Sequence, residues 1–372
     1  MVDATTKKGP RKVKTMPRDS EYDHTVPRRS DGTRQSLRPV QPWPSGKRFK
    51  ILSIDGGGIL GILPCMILAE IEKRFLDGEP IGEHFDMIVG TSTGGIIALG
   101  LGQGKSAQEI SKLYIERGRF IFPGNRLARW LRGWAGWAFT PYNRVNLEKE
   151  LRREFSDGLF GSSSVPICIT SFDGRYGEPY VFKTPHHPDY TKDQHERLVD
   201  VGLSTAAAPT IFAAVKRNGY VFADGGIWAN NPAMIGVVDA MTCYDIDRTQ
   251  IRLLSLGCGQ ESYRMRWWHR IGGRLVWASL FVSSAMRAQS HNALGHAGLL
   301  IGRSSMVRLD APEVANRIGM DDVGRALAEM PPVARSLVEA SGHRISEIFL
   351  QGEESTSSHV GDSETDVSAN TG

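Results

Sequence analysis

The sequence predicts a layered α/β protein whose sheet has a substantial parallel part. Two observations carry that prediction. Short apolar runs alternate with segments of helical periodicity, and two of the runs break at glycine-rich turns that lead straight into helices. Composition bounds it: the 372 residues are 40% hydrophobic and 23% charged, with a mean hydropathy of -0.27. These are globular proportions, which exclude a fibrous or wholly disordered chain.

The first strand is Phe49-Lys50-Ile51-Leu52-Ser53-Ile54, which ends at Asp55 and three glycines. Leu63, Ile67, Ile71 and Phe75 then recur every four residues and mark one face of a helix. Phe85–Val89 is a second strand, broken at Gly90, with a helix following through Gly95–Leu99. Ser106 and Glu109 have the spacing of a capping box and open another helix. Further strands are expected at Val165–Thr170, Pro179–Phe182, Tyr220–Ala223 and Ile251–Ser255. Helices over about 146–155, 196–207 and 233–243 lie between most of them, and from 263 onward the pattern is mainly helical.

The two ends read differently. Residues 1–48 carry 12 Lys/Arg against 5 Asp/Glu with many prolines, a basic disordered arm; residues 351–372 carry five acids and no Lys or Arg, an acidic disordered tail. Between them the expected organisation is a catalytic α/β domain over 49–262 and a helical part packed on it over 263–350. The net charge of +4 is therefore a sum of unlike parts, and it permits an anionic partner without demanding one. Cys65, Cys168, Cys243 and Cys258 form no CxxC pair, which argues against a disulfide framework or zinc knuckle and fits a reducing compartment. There is no apolar leader and no run of ~18 apolar residues, so a soluble cytoplasmic protein is expected.

Three motifs carry chemistry. Gly90-Thr91-Ser92-Thr93-Gly94 is a G-x-S-x-G between a strand and a helix; Gly90 and Gly94 permit a sharp turn that lifts the serine hydroxyl to the top of the sheet. Asp55-Gly56-Gly57-Gly58-Ile59-Leu60-Gly61 matches the dinucleotide fingerprint, but the next strand ends in the serine turn rather than in the acid that a ribose requires. The alternative is an oxyanion hole of successive backbone N–H groups. Asp224-Gly225-Gly226 follows a strand, where its acid can reach a serine on a neighbouring strand end. No histidine makes a convincing general base: His186 and His187 lie in a polar loop, His195 among charges, and His291 and His296 in the helical part. Asp224 itself remains as a candidate base.

In this order, with Ala206-Ala207-Ala208-Pro209-Thr210 and Leu254-Ser255-Leu256-Gly257 flanking the third, the motifs resemble the patatin-like phospholipase family over roughly 49–260. The resemblance implies a three-layer α/β/α sandwich with a central, mostly parallel sheet and a helical C-terminal extension. It implies Ser92 as nucleophile, Asp224 as the base, and the Gly56, Gly57 and Gly58 amides as oxyanion hole, with no catalytic cofactor and no metal. Leu60 stands where the family usually has Arg or Lys, and Cys258 where a small polar residue is common. Within the family, Ile51–Phe75 and Phe85–Leu113 are most similar to bacterial antiphage phospholipases switched on by cyclic oligonucleotides. A cyclic oligonucleotide is then the implied activating ligand.

Two windows suit a bilayer surface: Trp130, Trp134 and Trp137 among arginines, and Trp267 and Trp268 beside Arg264, Arg266 and Arg270. The expected partner is membrane phospholipid, with the protein peripheral at the inner membrane when active; a homo-oligomer is compatible and no DNA is expected. The function implied is a phospholipase A type lipid acyl hydrolase. The rival readings are a catalytically silent nucleotide-sensing or scaffold protein on the same fold, and a dinucleotide-dependent oxidoreductase.

Overall fold

The computed structural model describes residues 39–123, 142–209, 211–259, 265, 267, 271–312 and 318–350. Its strands are β1 Phe49–Ile54, β2 Met87–Thr91, β3 Ile167–Asp173, β4 Glu178–Lys183, β5 Val215–Arg217, β6 Tyr220–Asp224, β7 Ile251–Leu256 and β8 Met306–Leu309. Its helices are α1 Ile62–Phe75, α2 Thr93–Gly102, α3 Ala107–Ile121, α4 Arg144–Phe155, α5 Leu198–Thr205, the single turn α6 Gly226–Ala229, α7 Ala233–Cys243, α8 Arg274–Ile301 and α9 Val323–Ile345.

The strands form one sheet in the order β5-β6-β3-β2-β1-β7-β8, with β4 on the other edge of β3. Pairs from β3 through β2, β1 and β7 to β8 are parallel; β4, β5 and β6 add antiparallel pairs. β1 and β2 are apolar on both faces because helices cover both, as a central parallel strand requires. On one face Leu52, Ile54, Ile88, Ile167 and Ile169 pack under α1, α2, α3, α5 and α9. On the other, Phe49, Ile51, Met87, Val89 and Cys168 pack under α7, with α8 beyond it. Each such aliphatic side chain contributes about 1.5–3 kcal/mol on leaving water. The result is the mixed α/β layering that the strand–helix alternation predicts.

Local signals behave as expected. Ser106 accepts from the Glu109 amide and Glu109 reaches back to the Ser106 amide, the reciprocal capping box of α3. Three features differ from the sequence reading. Residues 39–48, counted with the arm, pack on the body: Gln41 exchanges backbone bonds with Cys243 and Asp245, and the Trp43 ring packs tilted against Phe49 and edge-on against Tyr244. β5 is three residues with two cations, too short and polar to stand out as an apolar run. β8 interrupts the helical C-terminal part and joins the sheet beside β7, so that part is built into the layered body. Residues 1–38 and 351–372 of the arm and tail lie outside the described residues.

Candidate active site

β2 ends at Thr91 and α2 begins at Thr93, so Ser92 alone makes the strand-to-helix turn. It does so at φ 54° and ψ -120°, a positive φ in a residue that is not glycine. Such a conformation costs about 1–3 kcal/mol and persists only where its surroundings over-determine it. Here they do. A Cβ on Gly90 would stand 2.3 Å from the Gly94 carbonyl oxygen, and one on Gly94 would stand 2.2 Å from the Ile54 carbonyl oxygen. The Ser92 amide donates to Thr205 Oγ1 at 2.8 Å, and Thr205 in turn donates to the Thr170 carbonyl at 2.6 Å. Thr91 Oγ1 donates to the Ala229 carbonyl at 2.6 Å, while Thr93 Oγ1 meets the buried Tyr114 hydroxyl at 2.6 Å.

Sheet topology delivers Asp224 to this turn. β4 lines one edge of β3, so β2 and β6 share the other. β2 runs parallel to β3 as far as Thr91 opposite Thr170; β6 runs antiparallel and ends with Asp224 opposite Ser171. Two strands of opposite direction thus abut end to end, and their terminal residues face each other. Asp224 is buried beside the Ser92 side chain, which favours its charged form, and its Oδ1 accepts the Gly226 amide at 2.7 Å. Burial outweighs the help of the serine and of that amide and pushes its carboxyl up to about 6. Gly225 is forced by contact, since a Cβ there would lie 2.1 Å from Thr170 Oγ1.

The glycine loop lies against the same turn. A Cβ on Gly56 would approach Ser92 Cβ to 3.3 Å and Asn230 Oδ1 to 2.7 Å. Of the three amides assigned to an oxyanion, that of Gly56 is already engaged, donating to the Asn230 carbonyl at 3.0 Å. Ile59 donates to the Met320 carbonyl at 2.8 Å. Among the described residues the Gly57 and Gly58 amides have no backbone acceptor, so they are the donors free to meet a ligand.

The sequence profile of the patatin-like phospholipase family matches residues 52–237. The chain belongs to that family. Among curated relatives, the cGAMP-activated phospholipase of Escherichia coli is 37% identical over 232 residues, 59% of this chain and 64% of that protein. The cGAMP-activated phospholipase of Vibrio cholerae is 35% identical over 236 residues, 59% of this chain and 66% of that protein. The chain thus spans less than two thirds of these relatives' length. Among solved structures, VipD from Legionella pneumophila aligns with a TM-score of 0.39 at 13% identity, over 79% of this chain and 67% of that one.

All three motifs of this patatin-like chain fall inside the matched stretch, whereas β7, β8, α8 and α9 fall outside it. No histidine is among the described hydrogen-bond partners of Ser92 or Asp224. His186 sits elsewhere, its Nε2 2.7 Å from Asp239 Oδ2 among the side chains of α7 and β4. Cys168, His186 and Asp239 bring metal-type ligand atoms within 4.8 Å of one another, but the Lys183 ammonium already pairs with that carboxylate. Leu60, in the place of the family's usual cation, is buried in the core. Trp267 is 68% exposed; Trp130, Trp134, Trp137 and Trp268 lie outside the described residues.

Sequence reasoning missed Thr205, Tyr114 and Asn230. The first two hold the serine turn through hydrogen bonds across 113 and 21 residues, which no local pattern encodes. Asn230 stood in view in the Asn230-Asn231-Pro232 step after the Asp224 motif. The structure puts its amide beside Gly56, clamped by Gln289 of α8, which bonds both the amide (3.0 Å) and the carbonyl (2.9 Å) of Asn231.

Proposed function

We propose that this chain is a lipid acyl hydrolase of the phospholipase A type, working through a Ser92–Asp224 dyad. The observation that best supports the reading is the meeting of two buried residues, Ser92 and Asp224, where β2 and β6 abut. Asp224 as carboxylate takes the Ser92 proton while Oγ attacks the ester carbonyl. The negative charge that builds on the carbonyl oxygen is met by the Gly57 and Gly58 amides, fixed donors that need no reorganisation. As the tetrahedral intermediate collapses, Asp224 returns the proton to the departing lysolipid oxygen and leaves Ser92 acylated. Water then gives a proton to Asp224 and attacks the acyl carbon, and fatty acid departs as Ser92 regains its proton. A carboxyl held near 6 suits this exchange, since a base works best with its pKa close to the working pH.

The relatives described as cGAMP-activated support a switch in this reading: a cyclic oligonucleotide turns the site on at a bilayer surface. Among the described residues no helix is long and apolar enough to cross a membrane. The test is fatty-acid release from phospholipid vesicles, with and without a panel of cyclic nucleotides. Ser92→Ala and Asp224→Ala should each lower release by at least about 10³-fold while circular dichroism is unchanged. Full release by either variant refutes the dyad; wild-type release indifferent to every nucleotide refutes the switch.

A further inference from the structure

We propose that Arg308, on β8, is a positioning residue for the glycine loop, holding Asp55 so that the Gly57 and Gly58 amides face Ser92. The proposal rests on the reading of Ser92 as nucleophile with those amides as oxyanion donors.

The register explains how a residue so distant in sequence arrives there. Ser53 of β1 pairs with Ser255 of β7, which pairs with Arg308 of β8. All three occupy one level of the sheet, and Asp55 lies two residues beyond Ser53, on the same face. Arg308 reaches across β7, donating from Nη1 to Ser255 Oγ at 2.8 Å on the way, and its Nη2 meets Asp55 Oδ2 at 2.7 Å. The same Nη2 donates to Asp310 Oδ2 at 2.6 Å, and Asp310 Oδ1 accepts the Gly259 amide at 2.7 Å and the Ala311 amide at 2.9 Å. The Asp55 carbonyl accepts from Cys258 Sγ at 3.3 Å, and a Cβ on Gly57 would stand 2.3 Å from Cys258 Cβ. The glycine loop, the turn after β7 and the end of β8 are therefore one packed unit with a guanidinium at its centre.

The far end of the loop is gripped by the same C-terminal part of the chain. Ile59 donates to the Met320 carbonyl, which lies in the turn before α9. With Asp55 tied down at one end and Ile59 at the other, the two unengaged amides lie between fixed points. The tie at Asp55 depends on charge. The buried carboxylate of Asp55 and the half-buried one of Asp310 share this guanidinium, and Asp55 Oδ1 has no hydrogen-bond partner among the described residues. Without Arg308 a buried carboxylate would have to take up a proton or swing toward water, and the loop that begins at Asp55 would move with it. A lysine supplies the charge but not the planar fork that bonds Ser255 and the carboxylates together. Position 60 holds an apolar side chain, and Arg308, beyond the stretch that the family profile matches, brings a cation to this loop.

The test uses the full chain, p-nitrophenyl butyrate as a soluble ester, and cGAMP added to every sample. Arg308→Met should lower kcat by about 10²–10³-fold, the range for loss of an oxyanion donor, with KM within about threefold. Affinity for an acyl trifluoromethyl ketone, whose adduct on serine carries an oxyanion, should fall in step with kcat/KM. Arg308→Lys should recover part of both. Because Arg308 acts through Asp55, the Arg308→Lys, Asp55→Asn double variant should lose no more than the worse single variant. Ketone affinity unchanged in a folded Arg308 variant, or losses that multiply in the double variant, overturn the proposal. Should Arg308→Met not fold, the Lys and Asn variants and their combination decide it. Wild-type hydrolysis by Ser92→Ala would instead overturn the reading of the site on which the proposal rests.

Discussion

Two buried aspartates of this molecule make opposite bargains with their surroundings. Asp239, on α7, meets the Lys183 ammonium, the Tyr190 hydroxyl at 2.7 Å, His186 Nε2 at 2.7 Å and Cys168 Sγ at 3.4 Å. Burial disfavours its charge, but the His186 hydrogen bond and the Lys183 charge overcome that and hold the carboxyl well below the usual carboxylate range. Asp224, at the end of β6, has a serine hydroxyl and one backbone amide, and among the influences on its charge no cation figures. Burial wins there, and the carboxyl rises to about 6. The fully compensated carboxylate of Asp239 holds structure together, whereas the undercompensated one of Asp224 remains ready to take a proton.

Exchanging the charge at each site separates the two roles. Asp224→Asn should lower fatty-acid release by at least about 10³-fold, because an amide cannot take the Ser92 proton. Asp239→Asn should destabilise the fold by about 3–5 kcal/mol in denaturant titration, since it strands the Lys183 charge beside a neutral amide, while activity per folded molecule stays near wild type. Loss of chemistry without loss of stability at Asp239 would dissolve the contrast.

The two sites should also differ in sign with pH. The folded state holds a proton on Asp224 more tightly than the unfolded chain does, so its contribution to stability is full below about 4 and is lost as pH rises through about 6. Asp224→Asn should therefore be more stable than wild type by about 3 kcal/mol above pH 6, a gain that vanishes below pH 4. Asp239 is the reverse: its contribution is present above the unfolded value near 4 and is lost as pH falls below it. Melting temperatures of wild type and both Asn variants from pH 3 to 8 would show the two trends crossing. The smallest effect concerns rate: wild-type turnover should rise with pH about a midpoint near 6, because the dyad needs Asp224 as carboxylate.

The same contrast separates what was legible in the sequence from what was not. β1, the serine turn and the strand before Asp224 could be read because each is a local event: an apolar run halted by glycines. The meeting of Ser92 with Asp224 was implied by family resemblance, and its physical cause, two strands abutting on one edge of β3, is a property of the sheet. Partners supplied from a distance left no trace. His186 reads as a loop histidine until Asp239 is brought to it across 53 residues. Gly56 reads as an oxyanion donor until the Asn230 carbonyl claims its amide. β8 is four residues inside a helical pattern, too short to show a strand period, and so Arg308 stayed hidden with it.

Covalent labelling tests the central claim most directly. The protein would be treated with a fluorophosphonate and its digested peptides mapped by mass, for wild type, Ser92→Ala and Asp224→Asn. The dyad predicts one adduct, on Ser92, absent from Ser92→Ala and formed at least about 10²-fold more slowly in Asp224→Asn. An adduct on another serine, or labelling of Asp224→Asn at the wild-type rate, would contradict it.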